Sequence, residues 1–213
     1  VFFQVCPCHT IGVTGSDGKT TTTTIIAELL KAAGETVYVG GNIGKPLLPD
    51  VDGMEPGDTA VLELSSFQLM TMDRSPDIAV VTNLAPNHLD VHKSMEEYVA
   101  AKKNIFTHQG PEGLLVLNAD NAITRGFAPE ARGRVTLFSR REELERGVFL
   151  KDGAIWVRNA MHERQVLPLE GILLPGEHNV ENYMAAIAAL DGLVPDRVVR
   201  EFAAKFAGVE HRI

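Results

Sequence analysis

Between Thr10 and Gly34 the chain passes from a short apolar run, Thr10-Ile11-Gly12-Val13, through a turn at Gly15 to Gly18, into a helix-length stretch from Lys19 to Ala33. That order makes a strand, a glycine turn and a helix whose N-terminus faces whatever lies beyond the strand. The helix opens on Lys19 and then five consecutive threonines, Thr20 to Thr24. β-Branched hydroxyl residues are poor helix formers, so hydroxyl chemistry or packing overrides propensity here. Backbone N–H groups of the turn and the helix start attract phosphate oxygens, Lys19 can neutralise the distal phosphates, and the Thr20 hydroxyl can face magnesium. Gly15, Ser16, Asp17, Gly18, Lys19, Thr20 and Thr21 are therefore the candidate nucleotide-phosphate site. The standard phosphate-loop pattern is incomplete: Val13 stands where its first glycine belongs, and Gly12 precedes it. A plain strand-to-helix turn with Lys19 as a surface residue is the structural alternative.

Similar short β-branched runs recur at Thr36 to Val39, Thr59 to Leu64 and Ile78 to Thr82, with further strands at Leu114 to Leu117 and Arg134 to Phe138. Strands apolar on both faces suit a parallel sheet covered by helices. Helices are expected over Lys19 to Ala33, Ser94 to Thr107, Asn179 to Leu190 and Pro195 to Phe206. From about 147 to 169 the pattern changes, and Lys151-Asp152-Gly153 between apolar runs signals a hairpin. The fold class is therefore α/β, a phosphate-loop-containing, mostly parallel sheet flanked by helices, with a small additional antiparallel sheet. In such sheets ligands bind beyond the carboxyl ends of the strands, so Thr14 to Lys19, Gly41 to Gly44, Glu63 to Gln68 and Asn83 to Asp90 can share one cleft.

The chain has 213 residues and a net charge of -8, enough length for one large domain and the wrong charge for a nonspecific nucleic-acid surface. No apolar run approaches the roughly 20 residues of a membrane span, so neither nucleic acid nor membrane insertion is expected. The two cysteines, Cys6 and Cys8, are too close for a typical structural disulfide and too few for a cysteine-based zinc site. A reducing cytoplasm fits them; joint metal binding with His9 is the lesser alternative to local packing.

Several polar residues stand at the expected strand ends. Glu63 offers a hard oxygen to a magnesium ion held near Thr20, or alternatively makes a strand-end salt bridge or helix cap. Asn42, in a double-glycine turn, can contact phosphates or simply close the turn. Asn87, His88 and Asp90 form a plausible metal rim, or a turn, while His92 reads as a surface residue. Ser65, Ser66 and Gln68 can cap a short helix and line an acceptor groove. His178, Asn179 and Asn182 share one helix end, where amides also serve as caps. Lys102 and Lys103 read as solvated helix residues, and Arg212 as either a solvated residue or a counter-charge in phosphoryl transfer.

Seven motifs together carry a resemblance: Thr14-Gly15-Ser16-Asp17-Gly18-Lys19-Thr20-Thr21, Gly41-Asn42-Ile43-Gly44, Leu62-Glu63-Leu64-Ser65-Ser66-Phe67-Gln68-Leu69, Asn87-His88-Leu89-Asp90, Ala100-Ala101-Lys102, His178-Asn179-Val180-Glu181-Asn182 and Phe206-Ala207-Gly208-Val209-Glu210-His211-Arg212. In that order they resemble the central ATP-binding domain of the Mur ligases, and Ser-Ser-Phe-Gln resembles the D-glutamate-adding branch. That family tolerates the missing glycine; Asp17 departs from the more usual asparagine. The resemblance implies that residues 1 to 213 are one middle domain, without the N-terminal UDP-binding and C-terminal domains of the same chain. It implies ATP and magnesium as cofactors and UDP-N-acetylmuramoyl-L-alanine and D-glutamate as partners, in a cytoplasmic monomer. By the same resemblance Glu63 binds magnesium, His88 a second magnesium, Asn42 the phosphates, Asn182 the adenine and Arg212 the nucleotide phosphates. Lys102 is expected to be carbamylated on its side-chain nitrogen, which reverses the repulsion between an ammonium and a metal. Lys19, His88 and Lys102 are then the catalytic candidates. A folylpolyglutamate-synthase-like amide ligase and a non-catalytic nucleotide-binding module are the alternatives.

Overall fold

A computed structural model describes residues 1–85 and 94–209. The N-terminal half alternates helix and strand: α1 (Phe2–Val5), β1 (His9–Thr14), α2 (Lys19–Ala32), β2 (Val37–Gly41), β3 (Thr59–Glu63), α3 (Ser66–Met70), β4 (Ile78–Val81), α4 (Met95–Thr107) and β5 (Leu114–Asn118). The remainder comprises α5 (Ala122–Arg125), β6 (Arg134–Ser139), β7 (Gly147–Lys151), β8 (Ala154–Arg158), β9 (Glu163–Pro168), α6 (Glu177–Leu190) and α7 (Asp196–Ala203). Among the described residues the nine strands join one sheet in the order β2-β3-β1-β4-β5-β6-β7-β8-β9.

The first seven strands pair in parallel, and β8 and β9 continue the sheet antiparallel. The antiparallel part is thus an extension of the same sheet, entered because β7 still pairs in parallel with β6. Asp152, at φ 48°, and Gly153 make the hairpin turn between β7 and β8.

Strand alternation divides the core in two. Ile11, Val13, Val61, Val80 and Val116 face α2, α6 and α7, while Ala60, Leu62, Ala79, Val81 and Leu115 face α3 and α4. This explains why the strands read as unbroken apolar runs: each residue has a helix layer on its side. Gly12, the displaced glycine of the loop pattern, serves the packing instead, because a Cβ there would lie 2.8 Å from Pro76 and 3.0 Å from Leu64.

The threonine run is explained by its two faces. Thr22 and Thr23 are buried against the sheet side of α2, Thr22 donating to Asn182 Oδ1 on α6 at 3.1 Å. Thr24 returns its hydroxyl to the Thr20 carbonyl at 2.9 Å, and Thr20 itself points to the site. At the other boundaries, Ser94 caps α4 by accepting the Glu97 N–H, and Ser65 with Gln68 forms a reciprocal capping box on α3.

Candidate functional site

The carboxyl ends of β1, β2, β3 and β4 meet at one edge, where Val13 and Gly41 both pair with Glu63 and Thr14 pairs with Val81. Gly15 to Gly18 leave that edge as a turn, with Gly15 at φ 150° and Gly18 at φ 77°. A side chain at Gly15 would collide with Thr82 Oγ1, so the absence of a Cβ permits the close approach. The loop is latched to the exit of β4: Ser16 N–H donates to the Asn83 carbonyl at 2.9 Å and Asp17 N–H to Asn83 Oδ1 at 2.9 Å. Thr82 donates to the Asp17 carbonyl at 2.6 Å. Asn83 therefore occupies two amides that the sequence reading assigned to phosphate, and the N–H groups of the first turn of α2 remain the outward-facing donors. Sequence places Asn83 among the strand-end polar groups of the cleft, whereas its latch to the loop, and that of Thr82, joins distant segments that local pattern does not connect.

Lys19 folds back over this loop, donating to the carbonyls of Gly15 at 3.0 Å and Ser16 at 2.9 Å. Both bonds leave its ammonium near the helix start, within reach of an anion at that N-terminus.

Glu63 is 2% exposed and accepts from Thr20 Oγ1 at 2.7 Å and Asn42 Nδ2 at 3.1 Å. The Asn42 N–H also donates to the Glu63 carbonyl at 2.7 Å. Both side-chain donors are neutral, and no salt bridge to Glu63 occurs among the described residues. A buried carboxylate held beside a hydroxyl is a hard oxygen set suited to magnesium. Asn42 is placed to orient that carboxylate.

This geometry requires Gly41, whose φ is 96° and whose Cβ would lie 2.1 Å from the Glu63 carbonyl oxygen. Gly41→Ala is expected to destabilise the fold by about 2–3 kcal/mol, from positive φ plus displacement of β3. A shift in the urea midpoint at constant slope would show it, and an unchanged midpoint would refute it.

Lys102 is also buried, at 2% exposure, contrary to the solvated helix residue that its sequence context suggests. Its Nζ donates to Thr14 Oγ1 at 2.9 Å and to the Gly15 carbonyl at 3.3 Å. Thr14 in turn donates to the Leu64 carbonyl at 2.7 Å, which leaves its oxygen lone pairs for Lys102. Burial and then the nearby Lys19 charge push the Lys102 pKa down to about 7, partly opposed by Glu63. Lys103 faces outward to Glu130 at 2.6 Å, so the two lysines diverge as their adjacency on a helix requires. One turn earlier on α4, the Tyr98 hydroxyl lies 3.1 Å from Ser16 Oγ.

Two clefts flank the N-terminus of α2. The larger, about 1190 Å³, lies between Thr20, Thr21, Gly44, Lys45, Asn179 and Gly208. The smaller, about 380 Å³, is bordered by Asp17, Gly18, Asn83, Phe138, Glu181 and Asn182. Asn182 thus faces a cleft beside the phosphate loop, while its Nδ2 donates to Asn179 at 3.1 Å. A Cβ at Gly18 would lie 2.3 Å from Asn182 Oδ1, so loop and helix are in close contact. His88 and Arg212, with Asn87, Asp90 and His92, lie outside the described residues. Ser65 and Gln68 cap α3 at the same sheet edge. Among the described residues no helix is long and apolar enough to cross a membrane.

Comparison with known proteins agrees with this architecture. The Mur ligase middle domain model matches residues 13–190. The UDP-N-acetylmuramoylalanine--D-glutamate ligase of Acetivibrio thermocellus is 56% identical over 213 residues, covering 100% of this chain and 46% of the relative. Its counterpart from Symbiobacterium thermophilum is 56% identical over 215 residues, covering 99% and 47%. The chain thus spans about half the length of the curated relatives it matches. Among solved structures, a UDP-N-acetylmuramoyl-L-alanyl-D-glutamate--2,6-diaminopimelate ligase superposes with TM-score 0.77 at 26% identity, over 98% of this chain and 48% of that one. MurF from Acinetobacter baumannii, at TM-score 0.71 and 22% identity over 99% of this chain and 48% of that one, shares the fold.

Proposed function

Because the chain belongs to the Mur ligase family, we propose that it is the nucleotide-binding middle domain of an ATP-dependent ligase that joins D-glutamate to UDP-N-acetylmuramoyl-L-alanine. The observation that carries this reading is the buried Glu63 carboxylate bonded to the Thr20 hydroxyl, one residue beyond Lys19. Identity to the D-glutamate ligases over the full chain supports the choice of acceptor. Flanking domains of the same polypeptide would hold the UDP group and help bind ATP and the amino acid, in a cytoplasmic monomer. Domain closure would complete and dry the site, so the middle domain alone would not ligate.

In this reading a carboxylate oxygen of the muramoyl-L-alanine substrate attacks the γ-phosphorus of ATP, giving an acyl phosphate and ADP. The amine of D-glutamate attacks the activated carbonyl, and the tetrahedral intermediate expels phosphate to leave an amide. Lys19 exchanges its two loop carbonyls for phosphate oxygens, and the α2 N–H groups position them. Thr20 and Glu63 would hold magnesium, which supplies charge neutralisation to the phosphates. Asn42 keeps Glu63 aimed. Arg212 would oppose charge at the transferring phosphoryl group, and His88 with Lys102 would hold a second magnesium.

Lys102 fills that role as its carbamate. The neutral amine attacks carbon dioxide, an N–C bond forms and one proton is lost, leaving a carboxylate where an ammonium would repel metal. With a pKa of about 7 the amine is accessible at neutral pH. Below that value the ammonium dominates and cannot react, so the rate of carboxylation increases with pH and levels off above it. At fixed dissolved carbon dioxide, the initial rate of Lys102 carbamate formation followed by ¹³C NMR should rise about tenfold from pH 6 to pH 8. A rate unchanged over this range would refute the neutral-amine route.

The functional test measures ADP formation by the complete protein with a panel of acceptors. Release that requires both UDP-N-acetylmuramoyl-L-alanine and D-glutamate is expected. Release with folate and glutamate instead would identify the other amide-ligase class, and nucleotide binding without acceptor-dependent ADP would identify a non-catalytic module.

A further inference from the structure

Three sulfur atoms converge on the far side of β1 from the phosphate loop, where none of the chemistry above takes place. Cys6 ends α1, its N–H donating to the Phe2 carbonyl, and Cys8 immediately precedes β1. Their Sγ atoms are 3.1 Å apart, and Cys8 Sγ lies 3.9 Å from Met54 Sδ. Cys8 and Met54 are buried, at 6% and 5% exposure, while Cys6 is half-buried and opens the cluster to solvent. Pro7, between the cysteines, restricts the backbone that spaces them.

We propose that Cys6, Cys8 and Met54 form a binding site for a soft monovalent d¹⁰ cation, copper(I) or silver(I), independent of the nucleotide site. Two thiolates and a thioether are the donor set such ions select, whereas zinc favours four nitrogen or thiolate ligands and magnesium takes oxygen. The separations suit one ion shared among the sulfurs. With metal–sulfur bonds of about 2.3 Å, the Cys8–Met54 spacing subtends about 115°, near the trigonal value. The Cys6–Cys8 pair is closer and opens by rotation of the half-buried Cys6 side chain. At present one of the two thiols donates to the other, and binding of the ion by both as thiolates releases both protons to solvent.

The site joins α1 to the loop ahead of β3, because His9 N–H donates to the Asp58 carbonyl just beyond Met54. An ion there ties the segment before β1 to the sheet.

The test titrates the reduced complete protein, without oxygen, with copper(I) buffered by bicinchoninate, whose coloured complex reports competition. One more equivalent of copper(I) is expected to be withdrawn by the parent than by Cys6→Ser. Met54→Leu should weaken that equivalent by about tenfold while leaving the two thiols in place. Cys6→Ser removes a half-buried group, and an unchanged thermal midpoint in the absence of metal verifies that it folds. Equal copper uptake by the parent and Cys6→Ser overturns the site, and unaltered affinity in Met54→Leu overturns the three-sulfur assignment.

Discussion

Lys102→Met is expected to raise the stability of the fold by about 1–2 kcal/mol while lowering ligase turnover about a thousandfold. The opposite signs follow from what the lysine does when buried. Its pKa near 7 means that desolvation and Lys19 disfavour the ammonium, so the folded state binds fewer protons there than the unfolded chain. Stability linked to Lys102 consequently rises with pH between about 7 and the ordinary lysine value, and the penalty is fully present below 7. Methionine has similar volume and no charge to desolvate. It strands little: Thr14 keeps its bond to Leu64, and the Gly15 carbonyl keeps Lys19. In the proposed mechanism function has no such substitute, since a thioether cannot bear the carbamate proposed at Lys102. Urea denaturation at pH 6 and turnover of the complete protein measure the two effects separately. Loss of both together would mean that Lys102 is a structural residue.

Lys19→Ala should reduce turnover by about 10²–10³, the usual scale for one electrostatic contact to a developing charge. Its second effect is more diagnostic. Lys19 is among the causes that lower the Lys102 pKa, so removing that cation moves the Lys102 pKa upward. The midpoint of carbon dioxide uptake at Lys102 should move to higher pH in the variant. Raising pH would then recover carboxylation without recovering phosphate binding, and Lys19→Ala with Lys102→Met should fall short of additivity. Unaltered turnover in Lys19→Ala would refute the phosphate role, and an unmoved midpoint would refute the coupling.

Much of the parallel sheet was legible because its strands had to be apolar on both faces. Thr59 to Leu64 and Ile78 to Thr82 match β3 and β4 to within one residue at their polar ends. The strand order was not legible, since which neighbour β1 acquires depends on the crossovers that place α2 and α4 on opposite faces. Pro195 to Phe206 overran α7, which stops at Ala203 before Gly208. The short α5 lacked enough residues to show a period.

The site divided in the same way. That Lys19, Thr20, Asn42 and Glu63 meet at one sheet edge was legible because each stands next to a strand end, whereas the bond from Asn42 to the Glu63 carboxylate was not. The burial of Lys102 was invisible in Ala100-Ala101-Lys102-Lys103, since an amphipathic helix exposes one of two adjacent lysines and composition does not say which. The latch by Thr82 and Asn83 joins segments far apart in the chain, a relation that local pattern does not contain.

The contacts of α4 have a mechanical consequence. Tyr98 meets Ser16, and Lys102 meets Thr14, from successive turns of one helix. A rod pinned at one point can spin; pinned at two points along the same face, it can neither rotate about its axis nor slide along it. The angular setting of α4 is therefore indexed to the loop beneath, as a key is by its teeth, and Lys103 cannot take the place of its neighbour.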